Sequence, residues 1–71
     1  DYAPVIPDED CASIGLTDPD DAQVLCLLTV GDDAITANLL GPIVLNVRNR
    51  TARQVVLTDS SLSTKAPILA V

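Results

Sequence analysis

Residues 34–58 read AITANLLGPIVLNVRNRTARQVVLT, and the reading of this stretch decides the fold class. Two apolar segments flank Gly41-Pro42, and a third follows a short basic turn. Residues 35–40, 42–49 and 53–58 are each short, rich in aliphatic residues and bounded by turn-forming residues, the way strands are punctuated. Asn49-Arg50-Thr51-Ala52 supplies a hairpin turn between the last two. In the middle segment the two-residue period puts Ile43, Leu45 and Val47 on one side, expected toward a core. Val44, Asn46 and Arg48 take the other.

Working outward, residues 22–30 (AQVLCLLTV) are apolar on both faces. Periodicity alone does not separate a buried strand from a helix here. The short length, the following Gly31-Asp32-Asp33 turn and the strands beyond it favour a strand. Thr17-Asp18-Pro19-Asp20-Asp21 has turn chemistry, because Pro presets φ and aspartates bond back to the backbone. Before it, Asp8 is expected to cap a brief helix over residues 10–14, with Gly15 as its stop. Residues 2–6, interrupted by Pro4, read as an extended segment at a sheet edge. Beyond the hairpin, Asp59-Ser60-Ser61 is a loop, and residues 62–71 form a tail whose last strand Pro67 interrupts. About four or five short strands and one helical turn make a mainly β, antiparallel protein.

The chain of 71 residues holds one domain at most, and a domain this small buries only about 60% of its unfolded surface. Tyr2 is its only aromatic residue, so the core is aliphatic and the stability margin thin. An opening at Asp1 rather than Met fits a processed chain or a fragment, and a fragment is expected. Net charge is −6, and residues 1–33 carry every acid but Asp59 and no base. An acidic chain with no aromatic stacking platform is a poor nucleic-acid binder, because phosphates demand cationic neutralisation. Cys11 and Cys26 lack CxxC spacing and a secretory context, so free thiols are favoured over a disulfide. No apolar run approaches the roughly 20 residues of a membrane span.

The chemistry of catalysis is thin. There is no His, so the commonest general base and metal ligand is missing. Ser13, Ser60, Ser61 and Ser63 have no imidazole to activate them. Counted as a calcium loop from Asp18, the chain offers Ala22, Gln23 and Thr29 where a ligand, the turn glycine and the final glutamate belong. Gly15, Gly31 and Gly41 are isolated turn residues rather than a phosphate loop. No enzyme activity, cofactor or metal is expected from these residues.

The words Thr36-Ala37-Asn38-Leu39-Leu40, Gly41-Pro42-Ile43-Val44-Leu45-Asn46 and Gln54-Val55-Val56-Leu57, in this order and spacing, resemble the C-terminal part of the flagellar assembly factor FliW family. The likeness extends to Asp1-Tyr2-Ala3-Pro4, Pro7-Asp8-Glu9-Asp10 and residues 16–30. One departure is Ala52, at a turn position where the family often has Gly. The resemblance implies residues 1–71 as the C-terminal part of a single FliW-like domain, with a small β-barrel-like fold. It also implies a non-catalytic protein of the bacterial cytoplasm. Its implied partners are flagellin and the RNA-binding translational regulator CsrA, whose repression of flagellin synthesis it relieves, with no membrane partner.

Asp8, Glu9, Asp10, Asp18, Asp20 and Asp21 are candidates for an electrostatic partner surface, weighed against ordinary solvated turns. Asn38, Pro42, Asn46 and Gln54 match family words, and structural roles are expected for them. Arg48, Arg50 and Arg53 cluster at one hairpin, where they meet an acidic partner or pair with the aspartates of the first half. The alternative to the flagellar reading is a structural or oligomerising β module that self-associates through open strand edges.

Overall fold

The computed structural model describes residues 2–70, with side chains for residues 2–68. In chain order it contains α1 (Asp8–Ser13), a 3-10 turn (Pro19–Asp21), β1 (Ala22–Leu25), β2 (Leu28–Val30), β3 (Ala34–Ala37), β4 (Ile43–Asn46), β5 (Thr51–Gln54) and β6 (Ala66–Ala70). The strands form two three-stranded sheets, ordered β1-β4-β5 and β2-β3-β6. Every pairing is antiparallel, so the mainly β, antiparallel class holds.

Register explains which face of the first sheet is covered. Val24 pairs with Val44 and Val44 with Arg53, while Ala22 pairs with Asn46 and Asn46 with Thr51. Directly opposed residues share a side, so these six form one face. The buried cluster of Ile14, Val44, Val55 and Leu57, flanked by Ile6, Leu16, Leu40 and Leu62, lies between the strands and the helical N-terminal segment. The expected facing of β4 is therefore inverted: Val44 and Asn46 are buried, whereas Ile43 and Leu45 are only half-buried. Val47 has already left the strand and is 48% exposed. The polar side chain misled the alternation, because Asn46 turns inward to satisfy a buried carbonyl.

The segment 22–30 is not one buried strand. It splits at Cys26-Leu27, and β1 and β2 become edge strands of different sheets. Val24, Leu25, Leu27, Leu28 and Val30 are 37–75% exposed. Residues 38–40 also leave the ladder, because Asn38 Oδ1 accepts from the amides of Leu40 and Gly41, both at 3.1 Å. A side chain that bonds nearby amides competes with strand pairing.

The hairpin turn lies at residues 47–50, and its left-handed residue is Arg50 (φ 59°). Ala52 sits inside β5 opposite Leu45, so no glycine conformation is required there. After Gln54 the chain keeps its partners outside the ladder, with Val55 N donating to Pro42 O and Leu57 N to Leu40 O. Pro67 does not break the last strand. It lies within β6 opposite Thr36, beside a register shift in β3 and on an edge strand, where a missing N–H is tolerated.

Helix α1 begins two residues earlier than expected. Its N-cap is Pro7, no side chain caps it, and Asp8 falls in its first turn. It ends as Gly15 adopts φ +64°, with Gly15 N bonded to Ala12 O and Leu16 N to Cys11 O. That pair of bonds is a Schellman stop, which favours glycine at the left-handed position. Residues 2–6 run without ladder pairing.

The molecule is open for its size. Its surface is 5118 Å², against about 4,200 Å² for a compact chain of this length. Its radius of gyration is 13.2 Å, against about 11 Å expected.

Candidate functional site

The acids of the first half are held on two short elements rather than on loose loops. Asp8, Glu9 and Asp10 occupy the first turn of α1. Asp18 caps the 3-10 turn by accepting from Asp20 N at 2.9 Å, which presents Asp20 and Asp21 in its first turn. Asp8 and Asp18 line one depression of about 410 Å³, together with Ile6, Cys11 and Leu16. Glu9 and Asp10 line a second, of about 590 Å³, on the other side of the helix. The six acids thus lie about α1 and the turn that follows, but they do not converge on one point. No three acid or thiol groups are placed to hold a metal ion among the described residues.

Two devices fix this acidic helix to the sheet. The first is the Ile14 carbonyl at the helix C-cap, a group that the helix itself leaves without a partner. It accepts from Asn46 Nδ2 at 2.9 Å and Asn49 Nδ2 at 3.0 Å, with Thr51 Oγ1 also 3.0 Å away but its single proton contested by Asn49 Oδ1 at 2.6 Å. Asn46 also accepts from Arg48 N at 3.0 Å and so braces the turn as well. The second is the ion pair of Arg53 Nε with Asp10 Oδ1 at 2.8 Å. Arg53 is half exposed and the Asp10 side chain only 12% exposed. Arg48 and Arg50 remain exposed at the hairpin tip.

The other motif residues form a second internal frame around Gly41. Gln54 Nε2 donates to Gly41 O at 3.1 Å, and the Asn38 carboxamide folds back over the same residue. A Cβ at Gly41 would lie 3.0 Å from Gln54 Nε2 and 3.1 Å from Asn38 Nδ2, which is why the close approach takes glycine. Pro42 is fully buried beside it. Asn38, Pro42, Asn46 and Gln54 all spend their polar atoms or bulk inside the domain. Gln54 alone among them is counted exposed.

Composition drew no attention to the wall facing Glu9 and Asp10. There Tyr2 donates its hydroxyl to Leu39 O at 2.6 Å. Burial, with the neighbouring Cys26, raises its pKa above the ordinary phenol value. Asp59 accepts from Ser61 N at 2.9 Å and Ser61 Oγ at 2.7 Å, and those bonds hold its carboxyl below the usual carboxylate range. Val5 and Val56 stand 89% and 79% exposed beside them. Such placement depends on chain reversal between distant segments, and no local sequence signal announces it. Cys11 and Cys26 are both free thiols, and among the described residues no helix is long and apolar enough to cross a membrane.

Comparison with known proteins gives this arrangement relatives. The family model described as "FliW protein" matches residues 1–68. The chain is 38% identical over 68 residues to the flagellar assembly factor FliW of Pseudothermotoga lettingae, covering 92% of this chain and 44% of that protein. It is 42% identical over 72 residues to that of Treponema denticola, covering 99% of this chain and 49% of the relative. Against the Bacillus subtilis factor it is 50% identical over 50 residues, covering 68% of this chain and 35% of the relative. A crystal structure of the flagellar assembly factor FliW superposes with a TM-score of 0.84 at 35% identity, over 96% of this chain and 49% of that one. The chain therefore spans about half the length, or less, of the curated relatives it matches.

Proposed function

The chain belongs to the FliW family, and from that premise we propose that it is part of a non-catalytic flagellar assembly factor that binds flagellin and the translational regulator CsrA. In this reading it works in the bacterial cytoplasm, and its occupation of the regulator relieves repression of flagellin synthesis. The observation that carries it is the acidic helix α1, clamped to the sheet through Ile14 and Asp10 while Asp8 and Glu9 stay exposed. A basic RNA-binding protein offers matching charge. Carboxylates docked beside its RNA path would oppose phosphate within a screening length of about 8 Å. Asp8, Glu9, Asp18, Asp20 and Asp21 are the acids assigned to that contact. Asp10 is assigned mainly to the clamp.

Calorimetric titration of the intact protein against a CsrA-type regulator and against flagellin, at low and at physiological salt, tests this. The expected result is binding that weakens with salt and with Asp8→Asn/Glu9→Gln. Absence of binding to both partners at low salt refutes it.

A second reading, an oligomerising β module with no flagellar role, has its own observation. The edges of β1 and β2 run through residues 22–30, which carry no charge and are largely exposed. Uncovered apolar edges pair with other chains. Light scattering that finds a concentration-dependent dimer, abolished by Leu28→Lys, together with no binding to either partner, would favour it.

A further inference from the structure

The groove of about 590 Å³ has two walls from opposite ends of the chain, residues 2–7 and residues 56–62, and is closed at one side by Glu9 and Asp10 of α1. Its floor includes Leu57, which is buried, and Leu62, which is half-buried. Val5 and Val56 stand beside that floor, almost wholly exposed. The rim carries the carboxylates of Glu9, Asp10 and Asp59, and no lining residue is cationic. Arg53 neutralises Asp10, and no cation is paired with Glu9 or Asp59 among the described residues.

We propose that this groove docks a short amphipathic segment of a protein partner, one that sets aliphatic side chains against Val5 and Val56 and Lys or Arg against Glu9 and Asp59. The inference rests on the protein-binding reading above and gives it a location. The charge of the rim selects the occupant. Nucleic acid and anionic lipid surfaces both bring negative charge to a rim that is already negative. A neutral apolar segment would leave the carboxylates facing it without a counter-charge as water is excluded. A second copy of this chain is a poorer match, because the molecule is acidic overall, with a net charge of −6. A basic amphipathic segment satisfies both the exposed valines and the rim.

The test is an NMR titration of the labelled intact protein with a short synthetic peptide of Leu on one face and Lys on the other. Counterparts with Glu in place of Lys, and with the order scrambled, serve as comparison probes. Shifts are expected at Val5, Glu9, Val56 and Asp59 for the Leu/Lys peptide alone. Val56→Ser, at an exposed position that leaves the core intact, should weaken binding about tenfold, a change of about 1.4 kcal/mol. Asp59→Asn should weaken it and flatten its dependence on salt, while Asp32→Asn/Asp33→Asn should leave it unchanged. Shifts spread over all acids, with equal weakening by the Asp32 and Asp33 substitutions, would mean attraction by bulk charge and would overturn the proposal. So would self-association of the chain that Val56→Ser abolishes. The two readings fail separately. If Val56→Ser leaves binding of the intact protein to flagellin and the regulator untouched, the groove is refuted and the assembly-factor reading stands. If the groove takes the peptide while the intact protein binds neither partner, the assembly-factor reading falls alone.

Discussion

Asn46 is the buried polar side chain that ties the end of α1 to the hairpin turn, and Asn46→Ala measures how much the domain depends on it. The residue is 2% exposed and bridges Arg48 N to Ile14 O. Its removal costs about 1 kcal/mol for each of two hydrogen bonds and up to about 1 kcal/mol for the unfilled space. The sum is about 2–3 kcal/mol. Asn49→Ala and Thr51→Ala should each cost less, about 0.5–1 kcal/mol, because Asn46 still donates to the Ile14 carbonyl and the other bonds lost are exposed to water. The double substitution of Asn49 and Thr51 should fall short of the sum of the singles, since either one alone already breaks the bond between their side chains.

Asn46→Asp sharpens the prediction. It replaces a donor with a carboxylate facing a carbonyl oxygen in a buried site, which raises the carboxyl pKa. Stability should then be greatest at acid pH, where the group is neutral, and fall as pH rises through that raised pKa. The assay is urea unfolding followed by far-UV circular dichroism. With a slope near 1 kcal/mol/M, Asn46→Ala shifts the midpoint by about 2–3 M, enough to unfold a marginal domain unless an osmolyte restores the folded baseline. The reasoning is refuted if Asn46→Ala is milder than Thr51→Ala, or if Asn46→Asp shows no added pH dependence.

Gly15→Ala should destabilise by about 1–2 kcal/mol and lower Tm, because φ is +64° and the new Cβ would sit 3.1 Å from Asn49 Nδ2. Arg53→Ala should cost about 1 kcal/mol or less and lose its effect at high salt. It should cost more than Asp10→Asn, since Asp10 is the more buried partner and would be left charged; equal costs in thermal melts would contradict this. Tyr2→Phe should lose about 1 kcal/mol through the missing bond to Leu39 O. Because the Tyr2 pKa is raised in the fold, its contribution is full below the unfolded value of about 10 and is lost as pH rises through the folded value. The wild-type chain should therefore lose stability more steeply than Tyr2→Phe in alkaline unfolding titrations.

The strands of residues 34–58 were legible because turn residues punctuate them and because aliphatic residues fill them. The facing of β4 was not, since alternation read Asn46 as a solvent residue. Its buried partner, the Ile14 carbonyl, lies 32 positions away. The division of residues 22–30 was hidden for a related reason. Nothing in AQVLCLLTV marks the crossing between sheets at Cys26-Leu27; only the separate partners β4 and β3 reveal it. Pro67 misled in the opposite direction, because an edge position beside a register shift removes the usual penalty. For the site, the sequence supplied the acids and the pinning arginine but not the valines beside them. Val5 and Val56 acquire meaning only when residues 2–7 and 56–62 come together.

On the proposed reading, the polar motif residues between Asn38 and Gln54 and the contact acids do different work in this domain, and the geometry gives a reason. Asn38, Gly41, Pro42 and Gln54 fix the turn before β4, and Asn46 fixes the end of α1. Asn38, Asn46 and Gln54 each need a particular side chain within hydrogen-bond reach, and Gly41 needs the absence of one, so substitution is costly at each. A rim of carboxylates around exposed valines imposes a looser demand, because Coulomb attraction tolerates shifts of position that a buried hydrogen bond does not. In this reading Asn46 and the frame around Gly41 hold the fold, while the helix presents the acids. On this view Asn46→Ala should reduce partner binding only as far as it unfolds the domain, whereas Asp8→Asn/Glu9→Gln should reduce binding by more than the loss of about 0.3–1 kcal/mol per first-turn acid explains. Binding isotherms corrected for the folded fraction separate the two. A binding loss in folded Asn46→Ala equal to that of the charge variants would place the motif itself in the interface and refute the division.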